Sequence, residues 1–148
     1  MSFPMIQIKN MIGLLIISHG EFSKGIANSI SMFYDEVEQF DTLSVNTDTN
    51  IEIFKTEIAE KIKQLDNGDG VLILADLFGG SPCNSTFNYL KDNVDVVTGV
   101  NFPMILSAIC NRNITNNREE LVEKIIAESI AGIIHVNKKL EGVLWSII

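Results

Sequence analysis

The run Met11-Ile12-Gly13-Leu14-Leu15-Ile16-Ile17 contains no polar side chain, and this restricts the fold more than any other stretch of the chain. A strand with one wet face alternates apolar and polar residues. A strand that never alternates needs cover on both faces, as in a parallel sheet held between helices. Val71-Leu72-Ile73-Leu74-Ala75 repeats the pattern, and a parallel neighbour can be reached only by a long crossover.

The rest of the chain supplies those crossovers. The first strand is expected over about 11–18 and a helix over about 22–34, with Phe22, Ile26, Ile30 and Phe33 on one stripe. A weaker strand lies within 37–45, marked by Val37, Phe40, Leu43 and Val45. Thr49-Asn50-Ile51-Glu52 has the form of a capping box and opens a helix carrying Ile51, Phe54, Ile58, Ile62 and Leu65, which Asn67-Gly68-Asp69-Gly70 ends. After the strand at Val71–Ala75 come a short helix over about 82–91, a strand at Val94–Val100 and a helix at Phe102–Cys110. Asn116 or Asn117 caps a helix over 118–132 with Leu121, Val122, Ile125, Ile126 and Ile130 on its apolar face, and Ile133–Val136 reads as a last strand. The expected fold is α/β: a three-layer open sheet, mainly parallel, with right-handed crossovers and helices on both faces. It forms one domain over 11–138, with an extension at 1–10 and an apolar tail at 139–148.

A net charge of −8, with scattered basic residues, disfavours nucleic acid, whose phosphates need clustered Lys and Arg. Cys83 and Cys110 stand at no metal-ligand spacing and read as two reduced core thiols. No run approaches the ~20 apolar residues that cross a bilayer, and residues 1–10 do not form a signal peptide. The expectation is a cytoplasmic protein that uses no metal and no cofactor.

The chemistry gathers at strand ends, where ligands collect in open α/β sheets. His19 closes the first apolar run, and Gly20 lets the backbone turn away. Asp76 closes the Val71–Ala75 run and is followed by Leu77-Phe78-Gly79-Gly80-Ser81-Pro82. Gly79-Gly80 permits close backbone approach, Ser81 suits an N-cap and Pro82 the first helical position. Free N–H groups at such a turn suit an anion. The stretch lacks the Lys of GxxxxGK[ST] and is no nucleotide P-loop. Gly99-Val100-Asn101-Phe102-Pro103-Met104 is a third turn, whose Asn101 either shapes the backbone or lines the site. If the first, third and fourth strands are neighbours, His19, Asp76, Ser81 and Asn101 converge. A carboxylate beside an imidazole fixes its tautomer and leaves the other nitrogen bare. A nucleophilic histidine beside a phosphate-sized cradle points to a phosphohistidine.

These three motifs, in this order and spacing over roughly 11–136, resemble the mannose-family enzyme IIA component of the bacterial phosphoenolpyruvate-dependent sugar phosphotransferase system. The resemblance implies that His19 accepts a phosphoryl group from HPr and passes it to a IIB component. IIB then phosphorylates sugar entering through membrane components IIC and IID. Asp76 matches the carboxylate that orients the histidine, and Gly79, Gly80 and Ser81 the turn beside the phosphoryl group; Gly20, Phe78 and Asn101 are possible lining. The family also implies a homodimer in which a C-terminal strand, here about 133–138, crosses to the neighbour. Leu77 stands where relatives can carry a hydroxyl, so one phosphoryl contact is expected to be missing, and IIB is expected on a separate polypeptide. Two alternatives remain: the IIA-like subunit of a dihydroxyacetone kinase system, and a regulatory phospho-acceptor module. Elsewhere, His135 reads as sheet packing, Glu119, Glu120 and Glu123 as a solvated first turn, and Phe102 and Met104 as either core or docking rim.

Overall fold

The computed structural model describes residues 10–91 and 93–144. Strands β1 (Gly13–His19), β2 (Phe40–Val45), β3 (Val71–Ala75) and β4 (Val94–Thr98) form one parallel sheet in the order β2-β1-β3-β4. β1 is an inner strand, with Leu15 opposite Asp41 of β2 and Ile73 of β3. Helices α1 (Phe22–Ile30), α2 (Ile51–Leu65), α3 (Ser81–Asn84), α4 (Phe102–Asn111) and α5 (Arg118–Ala131) cover the sheet, followed by the short turns α6 (Val136–Lys139) and α7 (Glu141–Leu144).

The unbroken apolar run does what its composition requires. Leu14 and Ile16 join Leu72 and Leu74 on one face, against Ile30 of α1, Ile105 and Ala108 of α4, and Leu121 and Ile125 of α5. Leu15 and Ile17 join Val71 and Ile73 on the other, against Phe54 and Ile58 of α2 and Cys83 of α3. Successive residues point to opposite faces, so each strand feeds two cores. Each fully buried Leu, Ile or Val contributes roughly 1.5–3 kcal/mol.

Several expected boundaries move for local reasons. α1 ends at Ile30 rather than near 34, where Ser29 Oγ and Ser31 Oγ donate to the Gly25 and Asn28 carbonyls (3.1 and 2.5 Å) and compete with helix propagation. Phe33, now beyond the helix, is exposed, as is Phe22 at the helix start. α2 is capped by Asn50, whose Oδ1 accepts from the Glu52 and Ile53 amides; Thr49 Oγ1 instead accepts from the Asn46 amide. The helix expected over 82–91 is α3 plus a 3-10 turn at Phe87–Tyr89, because Ser85 Oγ and Thr86 Oγ1 donate to the Ser81 and Cys83 carbonyls. Asn117 caps α5, its Oδ1 accepting from the Glu120 amide, and Glu119, Glu120 and Glu123 are exposed.

Three expectations are corrected. Ile133–Val136 forms no strand in the single chain. A strand needs a neighbouring ladder, whereas the His135 and Val136 carbonyls here accept from the Lys139 and Leu140 amides in a helical turn (3.0 Å each). His135 is therefore an exposed residue ahead of α6, not sheet packing. Cys83 is buried, but Cys110 is exposed, 3.0 Å from the Tyr34 hydroxyl; that hydrogen bond, then burial, raises the Tyr34 pKa. Residues 1–9 of the expected extension and 145–148 of the expected tail lie outside the described residues.

One buried cation closes the edge of the sheet opposite the strand ends that carry His19 and Asp76. Arg112, 4% exposed, donates through Nη1 to the Ile12 and Gln39 carbonyls (3.1 and 2.9 Å) and through Nη2 to the Glu38 carbonyl. Burial pulls its pKa from the ordinary 12.5 to about 10, with Glu38 opposing. The group stays charged at neutral pH. Because folding disfavours its charged form, the associated cost is complete below about pH 10 and fades above it. Arg112→Met removes a donor from the Ile12 and Glu38 carbonyls, while the Gln39 carbonyl keeps the Leu14 amide (3.0 Å), and a loss of about 3 kcal/mol is expected in urea unfolding; an unchanged midpoint would remove Arg112 from the framework.

Candidate functional site

β1 and β3 are hydrogen-bonded neighbours, with Ile17 opposite Ala75, so the residues just beyond them meet. Asp76 Oδ2 accepts from the His19 backbone amide and lies 2.9 Å from both that nitrogen and His19 Nδ1. One carboxylate oxygen thus fixes both the backbone and the ring of the same histidine. Its contact with Nδ1 fits the tautomer protonated there, leaving the Nε2 lone pair free. The imidazole is about half exposed (47%) and the carboxylate mostly covered (17%). Asp76 Oδ1 is buried without a hydrogen-bond partner among the described residues.

The glycine turn lies directly against the ring. A Cβ at Gly80 would stand 2.6 Å from His19 Cε1 and 3.2 Å from Nε2, inside van der Waals contact. Gly79 has φ +81°, and Gly20 φ +55°; the Gly20 amide donates to the Val45 carbonyl of β2 at 2.8 Å. Gly80 is the N-cap of α3 and makes no side-chain cap bond, so Ser81 is the first helical residue and not the cap. Asn84 braces the turn: its Nδ2 donates to the Gly79 carbonyl and its amide to the Gly80 carbonyl (3.1 and 2.9 Å).

Beside the ring is a cavity of about 410 Å³ lined by His19, Gly20, Val45, Asn46, Thr47, Ile51 and Ser81. Phe78, in the turn between Asp76 and Ser81, is strongly exposed and is not among the residues that line the cavity. Asn101 does not line it. Asn101 caps α4, with Oδ1 accepting from the Met104 amide (2.9 Å) and the Ser129 hydroxyl (3.0 Å), and Nδ2 donating to the Ser129 carbonyl (3.4 Å). Of the two roles open to it, the backbone one is realised. Met104 is buried and Phe102 packs against the core, whereas Ile51 on the cavity wall, and Phe22, Leu77 and Phe78 close in sequence to His19 and Asp76, are exposed. Asn46 and Thr47 were not singled out in the sequence; the available signal was that β2, ending at Val45, flanks β1.

Among the described residues, no group of three or more His, Cys, Asp or Glu is placed to hold a metal. No helix there is long and apolar enough to cross a membrane.

A family described as PTS system fructose IIA component matches residues 13–126. The chain belongs to this family of phosphotransferase-system IIA components. Such a component, the PTS system fructose-specific EIIA component of Bacillus subtilis (strain 168), is 26% identical over 104 residues, 69% of this chain and 71% of that protein. The PTS system mannose-specific EIIAB component of Escherichia coli (strain K12) is 27% identical over 124 residues, 82% of this chain; the match spans 38% of that protein's length. The crystal structure of phosphotransferase system component EIIA from Streptococcus agalactiae superposes with a TM-score of 0.79 at 24% identity, covering 86% of this chain and 99% of that one. The parallel α/β fold is therefore that of IIA structures.

Gly80→Val inserts a branched side chain where the imidazole lies. The expected outcome is a displaced ring, read by nitrogen NMR as loss of the Nδ1–H hydrogen bond while backbone signals of β1 and β3 persist. An unperturbed imidazole spectrum would mean that Gly80 does not set the ring position.

Proposed function

We propose that the chain is a phosphocarrier of a sugar-uptake phosphotransferase system, with His19 accepting a phosphoryl group from phospho-HPr and delivering it to a IIB component. The observation that carries this reading is the 2.9 Å contact of Nδ1 with Asp76, which leaves Nε2 bare beside an open cavity. Family membership supports the class of chemistry.

In the forward step the Nε2 lone pair attacks the phosphorus carried by the donor histidine. The new N–P bond forms as the donor's N–P bond breaks, and its electron pair returns to the donor imidazole. The Nδ1 proton stays on the ring, and Asp76 stabilises the positive charge that develops there. Attack by an acceptor nucleophile on IIB runs the same exchange again and restores the lone pair. Positioning and charge complementarity supply most of the catalysis.

Phe22, Leu77 and Phe78 supply apolar surface near the histidine, suited to transient docking of two protein partners in turn. Association with IIC and IID is then indirect, through IIB, and the carrier works in the cytoplasm. The homodimer belongs to the same proposal. β4 is an edge strand, and a trough of about 480 Å³ between β4 and α5 includes Val96, Val97, Ile126, Ile130 and Ile133. Ile133, Ile134 and Val136 are exposed in the single chain, so the 133–138 segment has apolar surface to bury on a second copy.

Incubation with phosphoenolpyruvate, enzyme I and HPr, followed by intact-mass measurement at mildly alkaline pH, tests the assignment. One acid-labile phosphoryl group is expected on the parent and none on His19→Gln. Asp76→Asn is expected to slow acceptance at least about tenfold, because the amide can present the wrong partner to Nδ1. Retention of full labelling by His19→Gln would sink the assignment.

A further inference from the structure

We propose that Asn46 and Thr47, just beyond β2, bind the phosphoryl group on His19, with the Asn46 amide and the Thr47 hydroxyl donating to its oxygens alongside Ser81. The inference rests on the phosphocarrier reading and assigns the cavity wall that the glycine turn does not provide.

The sheet register creates this wall. His19 is paired with Val45, and the Gly20 amide is bound to the Val45 carbonyl at 2.8 Å. The next two residues of β2's chain therefore emerge beside the histidine, and both line its cavity. Their backbone is already committed. The Asn46 amide donates to Thr49 Oγ1 (2.8 Å), and the Thr49 amide to the Asn46 carbonyl (3.1 Å). This turn uses the Asn46 backbone N–H and needs neither the Asn46 side-chain carboxamide nor the Thr47 hydroxyl. Both residues are exposed, and no side-chain hydrogen bond engages either one among the described residues.

The charge balance gives these free groups a task. A phosphoryl group on nitrogen brings up to about two negative charges, yet no Lys or Arg lines the cavity. Neutral donors must then meet the charge until a partner docks. Ser81 supplies one hydroxyl, and Ile51, which also lines the cavity, begins the fifteen-residue α2 with its positive end at this side. Asn46 and Thr47 complete a set of neutral donors. Neutral donors hold the oxygens without the tight ion pairing that would oppose onward transfer.

The test uses the full chain and phosphoramidate, a small donor that needs no protein partner: Nε2 takes the phosphoryl group as the phosphorus–ammonia bond breaks and ammonia leaves. Labelling rates and the phosphorus NMR resonance of phospho-His19 are compared for the parent, Thr47→Val, Asn46→Ala and Asn46→Asp. Thr47→Val and Asn46→Ala are expected to accept phosphate several-fold more slowly, with a moved resonance and an unchanged melting temperature; the double variant should lose about tenfold. Asn46→Asp, which puts a like charge beside the phosphoryl group, should be slower than Asn46→Ala. Parental rates with an unmoved resonance in all variants would overturn the inference alone. A parent that is not labelled on His19, by comparison with His19→Gln, would overturn the carrier reading and the inference with it.

Discussion

The bond between the Asp76 carboxylate and His19 depends on β1 and β3 lying side by side, and this pairing in turn depends on burying both faces of each. Neither strand has a polar residue on its sheet faces before Ser18, whose buried hydroxyl accepts from the Ser23 amide. Any slip that exposed one face would forfeit several side chains' worth of burial, each roughly 1.5–3 kcal/mol. The register is thus held by apolar packing along the whole strand. The polar pair at the end inherits that accuracy: one carboxylate oxygen contacts both a backbone amide and a ring nitrogen of the same residue. A side chain held at two points on one neighbour loses little further entropy when its ring acts.

The two ends of the sheet solve different electrostatic problems. At the end bearing His19, the ring borders an open cavity and the buried Asp76 Oδ1 has no hydrogen-bond partner among the described residues. At the other end Arg112 engages carbonyls from the approaches to β1 and β2. A cation there stabilises backbone carbonyls at the entry to the sheet, one of which, Gln39, also accepts from the Leu14 amide, and its lowered pKa reflects the cost of burying it. Each end keeps a buried polar atom without a hydrogen-bond partner among the described residues, Asp76 Oδ1 at one and Arg112 Nε at the other.

The two central strands and the histidine–carboxylate pair at their ends were legible because each is encoded locally, in an apolar run and the residue that ends it, whereas the strand order entered the sequence reading only as a condition. The glycine turn was legible for the same reason, although Ser81 proved to be the first helical residue rather than the cap. Arg112 was hidden because its partners lie 100, 73 and 74 residues away and are backbone carbonyls, which leave no trace in side-chain pattern. Asn101 was ambiguous because an N-cap and a site-lining amide look alike until Ser129 of α5 appears beside it. Ile133–Val136 carried the apolar composition of a strand, but composition does not supply a neighbour. Asn46 and Thr47 became visible only once β2 was known to flank β1.

Gly80 has a consequence for traffic through the site. Gly80 covers the Cε1–Nε2 flank of the ring so closely that not even a Cβ would fit there, while the rest of the imidazole stays about half exposed. In a carrier of the proposed kind, donor and acceptor proteins must each reach the same Nε2 and cannot do so together. The protein then behaves as a turnstile: each visitor has to leave before the next arrives, and a surplus of either partner obstructs the other. Brief, weak encounters serve such a relay better than durable complexes, and a small exposed apolar rim on an otherwise acidic molecule is suited to them.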